Sequence, residues 1–288
     1  MSEIVSSVPR RRRFNPLDLI VRRPTLLIGL VVTVILFAVA LLSLVWTPLP
    51  PAKMNIIHKL KAPLDYGLLG TDQFGRDVAS MLMVGAWNSL STSVVAVAIG
   101  ASLGTLVGVT VAAKRGITET VVMRICDIIF ALPPILSAML LGAFIGTGRF
   151  TAIIAIAVFM VPVFARVTLS AALQIWTREY VLVAIGIGKS RVGITAKHIL
   201  PNISNQIIVQ VTIQLGLAIL TEAGLSFLGL GMPPPAPTWG RMLADAQTFL
   251  GAAPWLAIVP GLAIAFAVLG LNMLGDGLRD LLDPRDRR

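Results

Sequence analysis

Between Leu26 and Trp46 the chain places 21 consecutive residues without a single charge, and no other feature narrows its fold as much. Wound as an α-helix, such a run is roughly 31 Å long, close to the thickness of a bilayer's hydrocarbon core. It closes on Val45-Trp46-Thr47-Pro48 rather than on a small-residue cleavage site, so a retained first helix is expected, not a cleaved leader. Five more apolar runs follow, at roughly 88–113, 120–145, 150–171, 205–228 and 255–275. The third run is interrupted by Arg124, Asp127 and Pro133-Pro134, and the fourth by Pro162 and Arg166. Such interruptions survive inside a bundle but not on a lone helix facing lipid. The expected fold is therefore an all-α membrane protein with about six transmembrane helices, with five plus a re-entrant piece as the alternative count.

Charge fixes the orientation. Charged residues make up 13% of the chain, against about a quarter in soluble domains, yet the net charge is +10. The cations sit at the ends of the apolar runs. With the N-terminus inside, 16 of the 24 Lys and Arg fall on the cytoplasmic side, including Arg10–Arg13, and six on the outer side. This asymmetry puts both termini in the cytoplasm and reads the basic tail as a topology signal, with no nucleic-acid partner. The expected divisions are a basic tail over 1–25, a transmembrane domain over 26–280 and a short tail over 281–288. Within the domain lie outer loops at 47–85 and 229–254 and a cytoplasmic loop at 172–204.

Catalytic chemistry finds little support. Gly188-Lys189-Ser190 looks like the end of a phosphate-binding loop, but Val183 stands where that loop needs its first glycine. No Gly-x-Ser-x-Gly and no His-Glu-x-x-His occur. His58 and His198 are far apart and Cys126 is alone, so neither a metal site nor a cofactor is expected. If ATP drives this protein, another chain binds it.

The polar pattern is more informative. The stretch 179–202 reads as a helix, a break at the glycines 186–188, and a second helix ended by Pro201. Two short helices between spans make a bracket that a soluble partner could grip. Gln206, Gln210 and Gln214 recur every four residues and share one helix face, with Thr221 near the same stripe. That face either lines a wet path or makes interhelical hydrogen bonds. Glu222 lies toward the outer end of the same helix, as a gate or a packing contact. Gly100, Gly104 and Gly108 form a small-residue ridge suited to close helix packing. Arg124 and Asp127, three residues apart, can partly neutralise each other as a structural ion pair, though intramembrane charge also marks functional sites. The outer segment 239–250, apolar at spacings of three and four, predicts a short amphipathic helix lying at the membrane interface.

Four ordered motifs resemble one family. These are Leu69-Gly70-Thr71-Asp72-x-x-Gly75-Arg76-Asp77; the cytoplasmic stretch from Glu179 to Pro201; Glu222–Gly231 followed by Pro237-x-Trp239-Gly240; and Gly275-Asp276-Gly277-Leu278-Arg279-Asp280-x-x-Asp283-Pro284-Arg285. They resemble the permease subunits of ATP-binding-cassette importers of the dipeptide/oligopeptide/nickel group, and the short outer loop resembles the C-type permease. The sequence departs from the family at Val183 and Ile185, where alanine and arginine are usual, at Gly186, and at Met81 and Trp87, where arginine is common. The resemblance implies a type I importer-like transmembrane domain without catalytic activity in a bacterial inner membrane. It implies partnership with a second permease, two ATP-binding subunits and an extracytoplasmic solute-binding protein. It makes Glu179, Ala184, Gly188, Lys189, Leu200 and Pro201 the expected coupling residues, and Gln206, Gln210, Gln214 and Glu222 candidates for pathway lining. Di- or oligopeptides are the expected solute. A permease for nickel or an opine, or a self-contained secondary transporter, is the alternative.

Overall fold

The computed structural model describes residues 23–282 except Leu132. The basic run Arg10–Arg13 and the Asp283-Pro284-Arg285 end of the last motif lie outside the described residues. Among the described residues, five helices are long and apolar enough to cross a membrane. They are α1 (Pro24–Leu42), α2 (Val78–Lys114), α5 (Arg149–Trp176), the span Arg191–Phe227 and α10 (Trp255–Leu282). A sixth crossing is split into α3 (Ile117–Ala131) and α4 (Pro134–Ile145), whose axes are bent by 88°. The prolines explain the break. The residue before a proline is pushed out of the helical region, and Pro133, preceding Pro134, is extended at φ −59° and ψ 135°.

The span Arg191–Phe227 is also not what the sequence suggested. Pro201 does not end a helix. The short α7 (Arg191–Ile194) runs through a π-helical turn, Thr195–Ile199, into α8 (Leu200–Phe227), with Pro201 in the first turn of α8. A mid-helix proline lacks the N–H for its i−4 carbonyl, and a wider turn just before it relieves the clash. The Leu200 N–H reaches back to the Thr195 carbonyl, and the Asn202 side-chain amide covers the His198 carbonyl at 2.6 Å.

Helix α2 starts ten residues earlier than the apolar run expected at 88–113 because the outer motif caps it. Asp77 accepts from the Ser80 N–H at 2.8 Å, a standard N-cap. Asp72 takes the N–H groups of Phe74 and Arg76 at 2.9 and 2.8 Å and pairs with the Arg76 guanidinium at 2.6 Å, with both side chains buried. The motif is thus a hydrogen-bonded turn that sets where α2 begins.

The main packing seam is α2 against α5, and the glycine ridge is its cause. A Cβ on Gly104 would lie 2.5 Å from the Val161 carbonyl oxygen, and one on Gly108 would lie 2.6 Å from that of Ala165. The two backbones approach this closely only because both side chains are missing. The first helix closes on the last, α1 on α10.

The outer amphipathic segment forms α9 (Trp239–Ala246), but its apolar stripe does not face lipid. Trp239, Met242 and Ala246 are buried in the bundle. The Trp239 indole N–H donates to the Leu82 carbonyl at 3.1 Å, and Asn88 holds the Pro237 carbonyl at 2.7 Å. Periodicity gave the helix and its apolar face. Polar partners on α2 decided where that face went.

Candidate solute pathway and coupling loop

The glutamine stripe of α8 is divided between two cavities. Gln206 and Gln210 line the larger, of about 770 Å³, between α5, α8 and α10. Gln214 and Thr221 line the smaller, of about 160 Å³, together with Phe130. Gln206 and Gln210 border a volume that Arg166 and Arg279 also line, whereas Gln214 is buried beside a cavity lined mainly by apolar side chains. Glu222 lines neither cavity. It is buried, accepting from the Ser226 hydroxyl at 2.6 Å, in the region where Gly240 of α9 rides directly over the Ala223 carbonyl.

Between the two cavities stands an ion cluster. Arg166 of α5 pairs with Asp127 of α3, and its guanidinium lies 4.8 Å over the Phe130 ring. Arg124 stands 3.9 Å from the other oxygen of Asp127. The expected Arg124–Asp127 pair is therefore the weaker contact, because the neighbouring helix offers Asp127 a closer cation than its own helix does. The side chains of Arg166 and Asp127 are 46% and 47% exposed in the isolated chain. Ten residues separate Arg166 from the end of α5 at Trp176, about 15 Å along the helix, so it lies in the interior of this apolar span. A half-exposed ion pair at that depth faces water or another subunit, not lipid. Arg166 was legible only as an interruption. Its partner is 39 residues away in sequence, beyond the reach of any local spacing rule.

The loop over 177–199 is a rigid bracket. Helix α6 (Glu179–Gly186) buries Val181 and Ala184 against Trp176, Ile194 and Ile199. It ends in a Schellman motif. The Lys189 N–H reaches the Ala184 carbonyl at 3.1 Å, and the Gly188 N–H reaches that of Ile185 at 2.9 Å. This motif needs a left-handed residue, and Gly188 supplies it at φ +80°. Ser190 then caps α7 by accepting from the Gly193 N–H at 3.2 Å, and Arg191 bonds the Ala113 carbonyl at the end of α2. The outward face of α6 is apolar and bare, with Leu182, Val183 and Ile187 at 55%, 64% and 69% exposure. Glu179 and Lys189 flank that face and are exposed, whereas Leu200 and Pro201 belong to the first turn of α8.

The family described as "Binding-protein-dependent transport system inner membrane component" matches residues 100–288. The glutathione transport system permease protein GsiD of Escherichia coli O157:H7 is 44% identical over 216 residues, covering 75% of this chain and 71% of that protein. Its counterpart in Pectobacterium atrosepticum is 41% identical over 217 residues, covering 75% and 72%. Among solved structures, a chain of the MetNI methionine ABC transporter in an inward-facing conformation superposes with a TM-score of 0.59. It is 21% identical and covers 70% of this chain and 97% of that one.

Proposed function

For a chain that belongs to the family of binding-protein-dependent transport system inner membrane components, within the dipeptide/oligopeptide/nickel group of ABC importer permeases, we propose the role of transmembrane subunit for uptake of small peptides. The observation that carries this reading is the bare apolar face of α6 on a bracket held rigid by Gly188, Ser190 and Arg191. An apolar surface outside the spans, fixed in orientation, suits a protein partner that moves. In the proposed mechanism two separate ATP-binding subunits close on one another and the bracket carries that movement into α8. The paired permeases then alternate between outward and inward openings. Glu179, Ala184, Gly188, Lys189, Leu200 and Pro201 form or brace the bracket, while Gln206, Gln210 and Gln214 line the solute's path.

Peptide uptake is supported by the curated relatives, whose names specify transport of glutathione, a peptide-like solute. The remaining assignments are a heterodimer with a second permease, an extracytoplasmic solute-binding protein, a bacterial inner membrane, both termini cytoplasmic, and the division into 1–25, 26–280 and 281–288. The test is to tag the chain, extract it gently from native membranes and identify the proteins that come with it. A second permease with one or two ATP-binding subunits is the expected result. Recovery of a folded homo-oligomer that hydrolyses ATP by itself would sink the proposal.

A further inference from the structure

The larger cavity has a charge character that fits one class of solute. Its lining carries two cations, Arg166 and Arg279, and the neutral amides of Gln174, Gln206 and Gln210, with no carboxylate among the described lining residues. Asp276 and Asp280 share α10 with Arg279 but do not line it. The acid that faces Arg166 is Asp127, from α3, with Arg124 beside it. Arg166 bonds Asp127 through one terminal nitrogen, and a guanidinium has five N–H donors in a fork suited to carboxylates.

We propose that Arg166 is a carboxylate-receiving site in the translocation path, which makes the solute class small molecules with a free carboxylate, zwitterionic or anionic. The inference rests on the reading of this cavity as part of the path. In the empty state Asp127 neutralises Arg166 and leaves Arg124, 3.9 Å from the same carboxylate, as the surplus cation. As a solute passes, its carboxylate takes the free edge of the guanidinium and displaces Asp127, which keeps Arg124 as a neighbour. No bond is made or broken covalently, and no net charge is left uncompensated. A resident acid competing with the cargo also keeps the site weak enough to let go, as conduction requires. Phe130, stacked on Arg166 and lining the smaller cavity, places the exchange at the boundary between the two volumes.

The test uses the assembled transporter in nanodiscs with Ser170→Cys, a lining position, in a Cys126→Ala background. Thiol modification is timed with an anionic reagent, 2-sulfonatoethyl methanethiosulfonate, and with its cationic trimethylammonium counterpart, each normalised to a free thiol. The expected preference for the anion is on the order of fivefold, the size one charge exerts across a water-filled cavity. Arg166→Gln should reduce it to the share that Arg279 sustains, Arg166→Lys should keep most of it, and Asp127→Asn should raise it. Trialanine should slow modification, and trialanine amide should not.

Equal loss in Arg166→Gln and Asp127→Asn would make the pair a structural strut and overturn the proposal. So would a reactive thiol with no charge preference, although the path itself would then stand. A thiol that reacts with neither reagent in any nucleotide state would place the cavity outside the path and remove the underlying reading as well.

Discussion

Replacing Gly188 isolates one physical term, because the site is crowded by nothing. No atom lies within 4 Å of where a Cβ would sit, yet the backbone is held at φ +80°. The whole effect of a side chain is therefore conformational. For alanine the left-handed region costs about 1 kcal/mol relative to glycine, and for a β-branched valine about 2 kcal/mol. These costs move the local equilibrium away from the Schellman turn by about fivefold and about thirtyfold. Asparagine tolerates the left-handed region and should fall close to glycine. If a correctly closed bracket carries the ATP-driven movement, transport into proteoliposomes and solute-stimulated ATPase should fall in the order Gly, Asn, Ala, Val, with the factors above as upper bounds. The buried side of α6, built on Val181 and Ala184, is untouched, so subunit recovery should stay constant across the series. Valine indistinguishable from glycine would refute the reasoning, as would asparagine performing worse than alanine. The first outcome would mean that the turn is dispensable, and the second that something other than backbone handedness is at stake.

Three further outcomes are expected. Val183→Asp sets a charge on the bare face of α6 without disturbing its buried side, and should reduce recovery of the ATP-binding subunits in pull-downs while leaving the melting temperature of the isolated chain unchanged. Gly104→Ile drives a branched side chain into the Val161 carbonyl and Phe164; overpacking of this kind typically costs about 1–3 kcal/mol, and should appear as a lower melting temperature in detergent. Trp239→Ala empties a fully buried position and removes the indole's hydrogen bond to the Leu82 carbonyl, a loss of about 3–5 kcal/mol, which limited proteolysis should register as early cleavage around α9.

What the sequence disclosed and what it hid divide along a physical line. Periodic or contiguous information was legible. The charge-free run of α1 gave a span, the four-residue glycine repeat gave the α2–α5 seam, and the glutamine repeat gave one face of α8. Local chemistry read in one direction misled. Pro201 signals a helix end only if the hydrogen-bond ladder before it is regular, and the π turn at Thr195–Ile199 removes that premise. The apolar stripe of α9 is compatible with a lipid interface and with a protein groove, and the choice depends on Asn88, Ser89 and the Leu82 carbonyl, about 150 residues upstream.

The ion cluster shows the same limit and also why it matters. On one helix Asp127 sees only Arg124, three residues back, and an i, i+3 pair closes the account with the charges mutually satisfied. In the bundle α5 brings Arg166 closer, and Arg124 becomes the spare cation. A pair would make a strut, since neither member could leave without stranding the other. With three members the central acid can release one cation and remain paired with the second. That surplus is what gives Arg166 freedom to meet a passing carboxylate, and it comes from the packing of α3 on α5, which sets Asp127 and Phe130 beside Arg166.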